Sequence, residues 1–234
     1  MWEATVNGRK LNFHLAGINN QNFIMQDEET GSWWQQVTGE AIQGPLKGSR
    51  LKAVFHDELT FSMWKHERPA GQVLRPDDSA PWKEFSEDWE TKTARMPVVT
   101  RAAPDDPLQP RDLVIGLKVN GAAKAYPLAA LQAQNPIVDT LGGVPIVIVL
   151  GDDRASVRAF ERQVDGRALE LFMKAGVAPQ LVDAETGSAW DFTGRSQAGP
   201  LAGRQLQKIP LLKDYWFDWK LYNPQTAVYR LGTR

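Results

Sequence analysis

The chain has 234 residues, no cysteine, nine tryptophans and a formal net charge of −1 from 27 basic and 28 acidic side chains. With 42% hydrophobic and 24% charged residues, its composition is that of a globular protein and excludes a disordered tail, a collagen and a disulfide scaffold. The balanced charge argues against a nucleic-acid partner, because nucleic-acid binders carry a basic face. The lack of cysteine excludes thiol nucleophiles, iron–sulfur clusters and cysteine-ligated zinc.

The sequence predicts no transmembrane segment. Its longest apolar run, residues 144–150, is far shorter than the roughly 18 residues of a membrane span. Residues 1–6 lack the basic and apolar regions of an export signal. The compartment stays open: the protein is cytoplasmic if Met1 is its true start, and extracytoplasmic if this chain lacks its export signal.

Two stretches of the chain repeat each other in the same order. Residues 27–34 (DEETGSWW) match residues 183–190 (DAETGSAW), and residues 44–48 (GPLKG) match residues 199–203 (GPLAG). Such ordered self-similarity over about seventy residues predicts an internal duplication.

The first repeat has the alternation and turn residues of a β-meander closed by a short helix. The expected strands cover residues 10–15, 32–36 and 51–55, and a further strand begins at residues 23–25. A turn is expected at residues 28–31 and a helix over residues 60–67. Thr60 is the expected N-cap of that helix, and Pro69 follows its end.

A proline-rich stretch separates the repeats. Residues 76–110 hold six prolines, which is typical of an extended linker or strap. Within it, Trp82, Phe85 and Trp89 are spaced by three and four residues. This spacing predicts a short amphipathic helix that docks on a domain.

The region after the strap has no counterpart in the first repeat. We predict strands over 113–119, 122–126 and 144–150, a hairpin turn at 120–121, a helical turn over 128–134 and a closing helix near 212–222. The fold class is therefore mainly β, with meander, sandwich or barrel-like units and a few short helices. The predicted organisation is a truncated first unit over 1–75, the strap over 76–110 and a full second unit over 111–234.

Several ordered motifs resemble one family. They are the run 112–116, the segment 120–127, the segment 137–145 and the two repeated turns. Together they resemble the bacterial and archaeal family catalogued as domain of unknown function 3179, over residues 97–234 and, for its latter half, over residues 1–75. Many members of that family look exported, so the resemblance favours a periplasmic or other extracytoplasmic location.

The chain departs from the family pattern at two places. Family members usually carry a Cys-Pro-x-Cys run where this chain has residues 151–154 (GDDR), and a His-Glu pair where it has Gln134 and Asn135. The resemblance thus implies the family's fold and, at these positions, a site without thiol or metal chemistry. We expect no catalysis, no cofactor and no bound metal.

Few other side chains suggest chemistry. His14, His56 and His66 lack the spacing of metal ligands. Asp27 and Asp183 recur at one repeat position, which favours caps of a turn over a carboxylate pair for hydrolysis. The structural turn residues are Asp27, Thr30, Gly31 and Ser32 in the first repeat and Asp183, Thr186, Gly187 and Ser188 in the second.

The tryptophans are the most unusual feature. Trp34 and its repeat equivalent Trp190 are expected in the core. Trp33, whose counterpart is Ala189, should point to the opposite strand face and be exposed. Because tryptophan offers a large contact area with a polar handle, Trp33, Trp82 and Trp89 are the candidate interaction residues.

Two hypotheses on function remain, with a weaker third. The first is a non-enzymatic accessory subunit that docks on another protein or a larger extracytoplasmic or membrane-attached complex. The second is a carbohydrate or small-ligand binding module with Trp33 as platform, and the third is a carboxylate-based hydrolase. The incomplete first unit favours the first, since half a unit leaves an open sheet edge and an uncovered apolar face. We expect the repeats to pack face to face and the remaining surface to bind the partner.

Overall fold

A computed structural model describes residues 1–19, 22–74, 88–98, 104–174 and 181–232 of the chain. In these ranges the protein is mainly β, with four short helices and several antiparallel sheets, which confirms the predicted fold class. Backbone contacts divide the chain into two compact units, Met1–His56 and Asp57–Arg234. The helix that the sequence analysis gave to the first repeat therefore belongs to the second unit. None of the helices in the described ranges is long and apolar enough to cross a bilayer.

The first unit consists of a small hairpin and one four-stranded antiparallel sheet in sequential order. Its strands are β1 (Thr5–Val6), β2 (Arg9–Lys10), β3 (Phe13–Asn19), β4 (Asn22–Asp27), β5 (Trp33–Gln35) and β6 (Glu40–Gln43). The expected strand over 10–15 is interrupted because Leu11 turns into the core and its N–H bonds to the carbonyl of Ala4. The expected strand over 51–55 was wrong: the structure has only a single bridge between Trp2 and Ala53 there, since an apolar run without a partner strand forms no ladder.

The core of the first unit is small. Its buried members are Val6, Leu11, Trp34, Ala41 and Leu51. Trp34 is fully buried, and the ring of Phe13 meets it edge-on at 5.8 Å, a favoured aromatic geometry.

The second unit contains the remaining elements. Its helices are α1 (Phe61–Glu67), α2 (Trp89–Arg95), α3 (Leu128–Ala133) and α4 (Trp216–Tyr222). Its strands are β7 (Leu113–Val119), β8 (Ala122–Pro127), β9 (Ile137–Leu141), β10 (Val144–Leu150), β11 (Val157–Glu161), β12 (Gln163–Val164), β13 (Arg167–Ala168), β14 (Leu171–Met173), β15 (Leu181–Asp183), β16 (Ala189–Trp190), β17 (Ser196–Ala198), β18 (Gln207–Ile209), β19 (Leu211–Tyr215) and β20 (Ala227–Val228). The three four-stranded sheets have the orders β18-β11-β10-β9, β19-β7-β8-β20 and β14-β15-β16-β17.

Strand β10 is apolar throughout because both of its faces are covered. Ile146, Ile148 and Leu150 pack with residues of β7, β8 and α3. Val147 and Val149 point to the other face, where they pack with Phe160 and with the meander β14–β17 around Trp190. The second repeat is thus one layer of a larger core.

Two helices show how local and tertiary preferences compete. Helix α1 begins as predicted, with Thr60 accepting a hydrogen bond from the N–H of Met63 at 3.2 Å. The helix expected near 212–222 is correct only from Trp216 onward. Its first part is strand β19, because the backbone of residues 211–215 pairs with all of 113–117 in β7, and that ladder overrides local helix propensity.

The two repeats have the same local structure. Each forms a four-stranded meander in sequential order. Gly44 and Gly199 have φ angles of +95° and +94°, and a Cβ on either would lie within 2.7 Å of the Cα of Ser32 or Ser188, respectively. A common origin by duplication, and the face-to-face packing of the repeats, stay predictions.

Replacing Gly199 by alanine should lower the free energy of unfolding by about 3 kcal/mol or more, because the added methyl group meets backbone and the φ angle disfavours any side chain. Gly203 has a similar φ of +86° but open space around a Cβ, so Gly203→Ala should cost only about 1 kcal/mol. Urea denaturation of both variants measures the difference. Equal losses would show that the close approach at Ser188 does not constrain the fold.

Candidate functional site

The repeated turn of the first unit is held by one carboxylate. Asp27 is fully buried. Its Oδ1 accepts from the N–H of Thr30 at 2.6 Å and from the Thr30 hydroxyl at 2.8 Å, and its Oδ2 accepts from Nε1 of Trp34 at 2.7 Å. Although burial opposes it, the hydrogen bonds from Trp34 and Thr30 hold the pKa of Asp27 below its usual range. The carboxylate therefore fixes the turn to the core tryptophan.

The second repeat has the same network. Asp183 accepts from the N–H and hydroxyl of Thr186 at 2.6 and 2.8 Å and from Nε1 of Trp190 at 2.9 Å. Ser188 Oγ then accepts the N–H of Leu201 at 2.9 Å and ties this turn to the next one. Each aspartate is thus occupied by the donors of its own turn, as the predicted cap requires.

The histidines lie apart from one another. His14 is exposed on β3, the ring of His56 lies 3.2 Å from the carbonyl of Val54, and His66 lies on α1. Among the residues that the structure describes, no group of three or more His, Asp or Glu side chains could hold a metal ion.

Trp33 lies where strand alternation placed it. It is 37% exposed, whereas Trp34 is fully buried. Directly opposite Trp33 are Gln26 on β4 and Gln43 on β6, and His14 is opposite Gln26, so these four side chains form a row on one face of the sheet. Trp82 lies outside the described residues. Trp89 is the first residue of α2, and only its backbone is described.

The opposite face of this sheet carries apolar side chains that the sequence analysis missed. Leu15, Ile18 and Phe23 are 58%, 66% and 44% exposed. Leu15 pairs with Met25, and Ile18 pairs with Phe23. Residues two apart on a strand share a face, and so do paired residues on neighbouring strands. Leu15 and Ile18 are three apart, but the register shift between Leu15 and Gly17 brings Ile18 to the same face, so all three lie on the side of Trp34 and the core. We call Leu15, Ile18 and Phe23 the open face. Strict alternation along β3 would have placed Ile18 on the opposite face, so the sequence analysis did not recognise this surface.

The positions of the two departures from the expected family pattern come together in space. Asn135 donates to the carbonyl of Leu150 and accepts from its N–H, both at 2.9 Å, so it lies beside the end of β10 where residues 151–154 begin. There Asp153 accepts hydrogen bonds from Ser156 and from the hydroxyl of Thr60 at 2.6 Å. Burial by itself would raise the pKa of Asp153, but these hydrogen bonds outweigh burial and lower that pKa to about 2.

A cavity of about 620 Å³ adjoins these positions. Gln134 and Asn135 line it together with Lys124 and Asp139. Lys124 Nζ lies 2.6 Å from Asp139 Oδ2, which also accepts the hydroxyl of Tyr126 at 2.8 Å. Burial and the Asp139 carboxylate raise the pKa of Tyr126 above its usual range. This cluster joins β8 to β9, and its charges are paired within the protein.

Two neighbouring carboxyl groups, those of Asp214 and Asp218, lie at the junction of β19 and α4. Asp218 is buried, and burial together with the neighbouring Asp218 carboxyl raises the pKa of Asp214 to about 8, with a smaller contribution from Glu58. At neutral pH the two carboxyl groups therefore share a proton. Nothing in the sequence indicated this pair beyond the i, i+4 spacing of the two residues across the strand–helix junction.

Comparison with known proteins decides the family. Residues 1–226 match the family described as "Protein of unknown function (DUF3179)". The chain belongs to the DUF3179 family. No curated protein and no solved structure matches the chain.

The match confirms the resemblance drawn from the sequence. The motifs that carried the resemblance have structural roles here: Asn120 and Gly121 form the β7–β8 turn with φ angles of +48° and +81°, and Lys124, Tyr126 and Asp139 form the paired cluster. Within residues 151–154, Asp153 caps the turn to Ser156 and binds Thr60.

Replacing Asp183 by asparagine should lower the free energy of unfolding by about 1–3 kcal/mol at pH 7, because an amide N–H would oppose the indole N–H of Trp190. Burial raises the pKa of Asp183, but the bonds from Trp190 and Thr186 outweigh it and lower that pKa. The wild type therefore loses this stabilisation as the pH falls below about 4, and the two proteins should converge there. Denaturation at pH 3 and 7 tests this, with exposed Asp152→Asn as control; a pH-independent difference would contradict it.

Replacing Asp214 by asparagine should flatten the stability–pH curve. The folded wild type keeps a proton that the unfolded chain has released, so its free energy of unfolding falls as the pH rises from about 4 to about 8 and is level above that. Asparagine carries no titrating proton. The slope of the stability–pH curve should therefore disappear in the Asp214→Asn variant and persist in the Asp152→Asn variant. Urea denaturation at four pH values measures both; parallel curves for wild type and Asp214→Asn would refute the shared proton.

Proposed function

We propose that this protein is a non-enzymatic interaction subunit whose first unit binds another polypeptide through the open face. The exposure of Leu15, Ile18 and Phe23 on the core side of a sheet carries the proposal. Apolar side chains grouped on one face mark contact surfaces, since water disfavours their exposure.

The second unit supports this choice of partner, because a sheet covers part of the equivalent face there. There the row Met173, Leu181 and Trp190 is equivalent to Leu15, Met25 and Trp34 by strand pairing. Leu181 and Trp190 are 2% and 0% exposed, because Val147, Val149 and Phe160 cover them. The equivalent face of the first unit has its own five buried residues but no such sheet within that unit. The partner that fits is a β-sheet with apolar side chains at alternate positions.

The edge of the sheet adds to this surface. Strand β3 is the outer strand of the first unit's sheet and carries both Leu15 and Ile18. An outer strand of seven residues with apolar side chains is a template for pairing with another chain. A partner can thus cover the open face and extend the sheet at once.

The nature of the larger assembly rests on the family resemblance alone. Because relatives look exported, we propose a partner in an extracytoplasmic or membrane-attached complex. The first unit would supply the binding surface, and the second unit, with its covered sheets, would supply the stable body.

Replacing Ile18 by aspartate should abolish stoichiometric co-purification of the partner from native membranes while leaving the melting temperature within about 2 °C, because the side chain is exposed in the isolated chain. Leu74, which is 96% exposed, is the matched control: Leu74→Asp should keep the partner.

Because the chain has no cysteine, the reactivity of a single introduced cysteine measures directly whether the open face is buried. A single cysteine introduced as Ile18→Cys should react with maleimide rapidly in the isolated chain and at least tenfold more slowly in native membranes. Equal labelling rates in both, together with a chain that purifies alone, would contradict the proposal.

The row around Trp33 supports a second candidate, a carbohydrate platform. An exposed indole flanked by Gln26 and Gln43 combines a flat apolar surface with amide hydrogen-bonding groups. The glycan titrations described below, made with Trp33→Ala, test it: loss of binding in that variant alone would favour this site.

A further inference from the structure

A polar groove runs along α1 in the second unit and has no part in the interaction surface above. Two adjoining hollows of about 470 and 780 Å³ form it, and both are lined by Glu67, Arg68, Thr193 and Lys208. Their combined size is that of a site for a ligand of several rings. We call it the charged groove.

The floor of the charged groove is a network of paired charges. Arg158 is 3% exposed, and its guanidinium donates to both oxygens of Glu67 at 2.6 and 2.8 Å and to Asp57 at 2.8 Å. Lys208 donates to the same Asp57 at 2.6 Å, and the Arg158 guanidinium lies 4.7 Å from the ring of Phe192. These contacts pair the two cations of the floor with its two carboxylates.

Stability alone explains this network poorly. Desolvating a guanidinium and two carboxylates costs about as much as their attraction returns, and apolar residues of similar size often stabilise a fold more. A buried network of this kind at the base of a hollow is better explained by the ligand it faces. Because these charges are already paired, the floor itself offers no net charge to a ligand.

One wall of the groove is aromatic. Phe61 and Trp64 on α1 stack with ring centroids 5.7 Å apart and planes at 27°, and Phe61 is 62% exposed. Gly71 leaves room for Trp64, because a Cβ at residue 71 would lie 2.5 Å from the indole. These rings offer an apolar face on which a flat, weakly polar ring can stack.

The other wall is made of hydrogen-bonding side chains. Asp191, Thr193, Arg195 and Gln205 line it. Asp191 already accepts hydrogen bonds from Thr193 and Gln197, and the amide N–H of Gln205 donates to the carbonyl of Thr193. The groups that can still bond to a ligand are the guanidinium of Arg195 as donor and the side-chain oxygens of Thr193 and Gln205 as acceptors, which suits hydroxyl groups, since these both donate and accept.

We infer that the charged groove binds a neutral oligosaccharide, whose C–H faces stack on Phe61 and Trp64 and whose hydroxyl groups bond to the opposite wall. The aromatic wall, the hydrogen-bonding wall and the internally paired floor together favour this ligand class over fatty chains. The site lies within the second unit and is independent of the open face.

Isothermal titration of the full chain with six neutral hexasaccharides tests the assignment: cellohexaose, laminarihexaose, maltohexaose, mannohexaose, xylohexaose and chitohexaose. At least one should bind with a Kd below about 1 mM. Phe61→Ala removes an exposed ring from the groove and should weaken binding about fivefold. Phe172→Ala removes a ring of similar exposure, 46%, that lies outside the groove and should change binding less than twofold.

Gln205→Ala supplies a second variant on the opposite wall, with the same expected direction, and circular dichroism melting checks that each variant is folded. Failure of all six sugars to bind overturns the inference. The inference is also overturned if Trp33→Ala loses sugar binding while Phe61→Ala keeps it, because that result would place the sugar on the first unit. Tighter binding of hexagalacturonate than of every neutral sugar would contradict the neutral ligand class. None of these outcomes bears on partner binding through the open face, so the two proposals can fail separately.

Discussion

The fold of both repeats depends on a hydrogen bond from a core indole to a buried carboxylate. Trp34 and Trp190 are fully buried, and a buried indole N–H without an acceptor would cost free energy. Asp27 and Asp183 supply that acceptor and use their second oxygen to hold the threonine of the turn. One carboxylate thereby fixes the turn, the orientation of the tryptophan and the register of the meander. Both oxygens of each aspartate are therefore engaged within its own repeat.

The same motif has two different consequences in this chain. In the second unit the tryptophan lies under a complete sheet, so the meander is one wall of a large core. In the first unit five buried residues form the core, and the rest of the sheet face stays exposed. A small core gains less from burial, so the turn network carries more of that unit's stability. The unit can therefore keep its structure while its face remains available for a partner.

Prediction from sequence succeeded where the determinants are local. The Thr60 cap, the Asn120–Gly121 turn and the buried strand β10 follow from residue type and spacing, and the family pattern was recognised from ordered motifs. Prediction failed over residues 51–55, which lack a partner strand, and at residues 211–215, which pair with β7. The groove was out of reach because Arg158 binds Asp57 and Glu67, which lie 101 and 91 residues away. The open face was missed for a related reason: exposure depends on what covers a strand, which alternation does not reveal.

Asp153 links the end of β10 to the helix that forms one wall of the charged groove. It accepts the hydroxyl of Thr60, whose side chain also caps α1. The N–H of Thr60 in turn bonds to Ser156. These contacts fasten the N-terminus of α1 at the end of β10, while Glu67 fastens its C-terminus to Arg158. A helix held at both ends presents Phe61 and Trp64 in fixed positions, which lowers the entropy lost when a ligand binds.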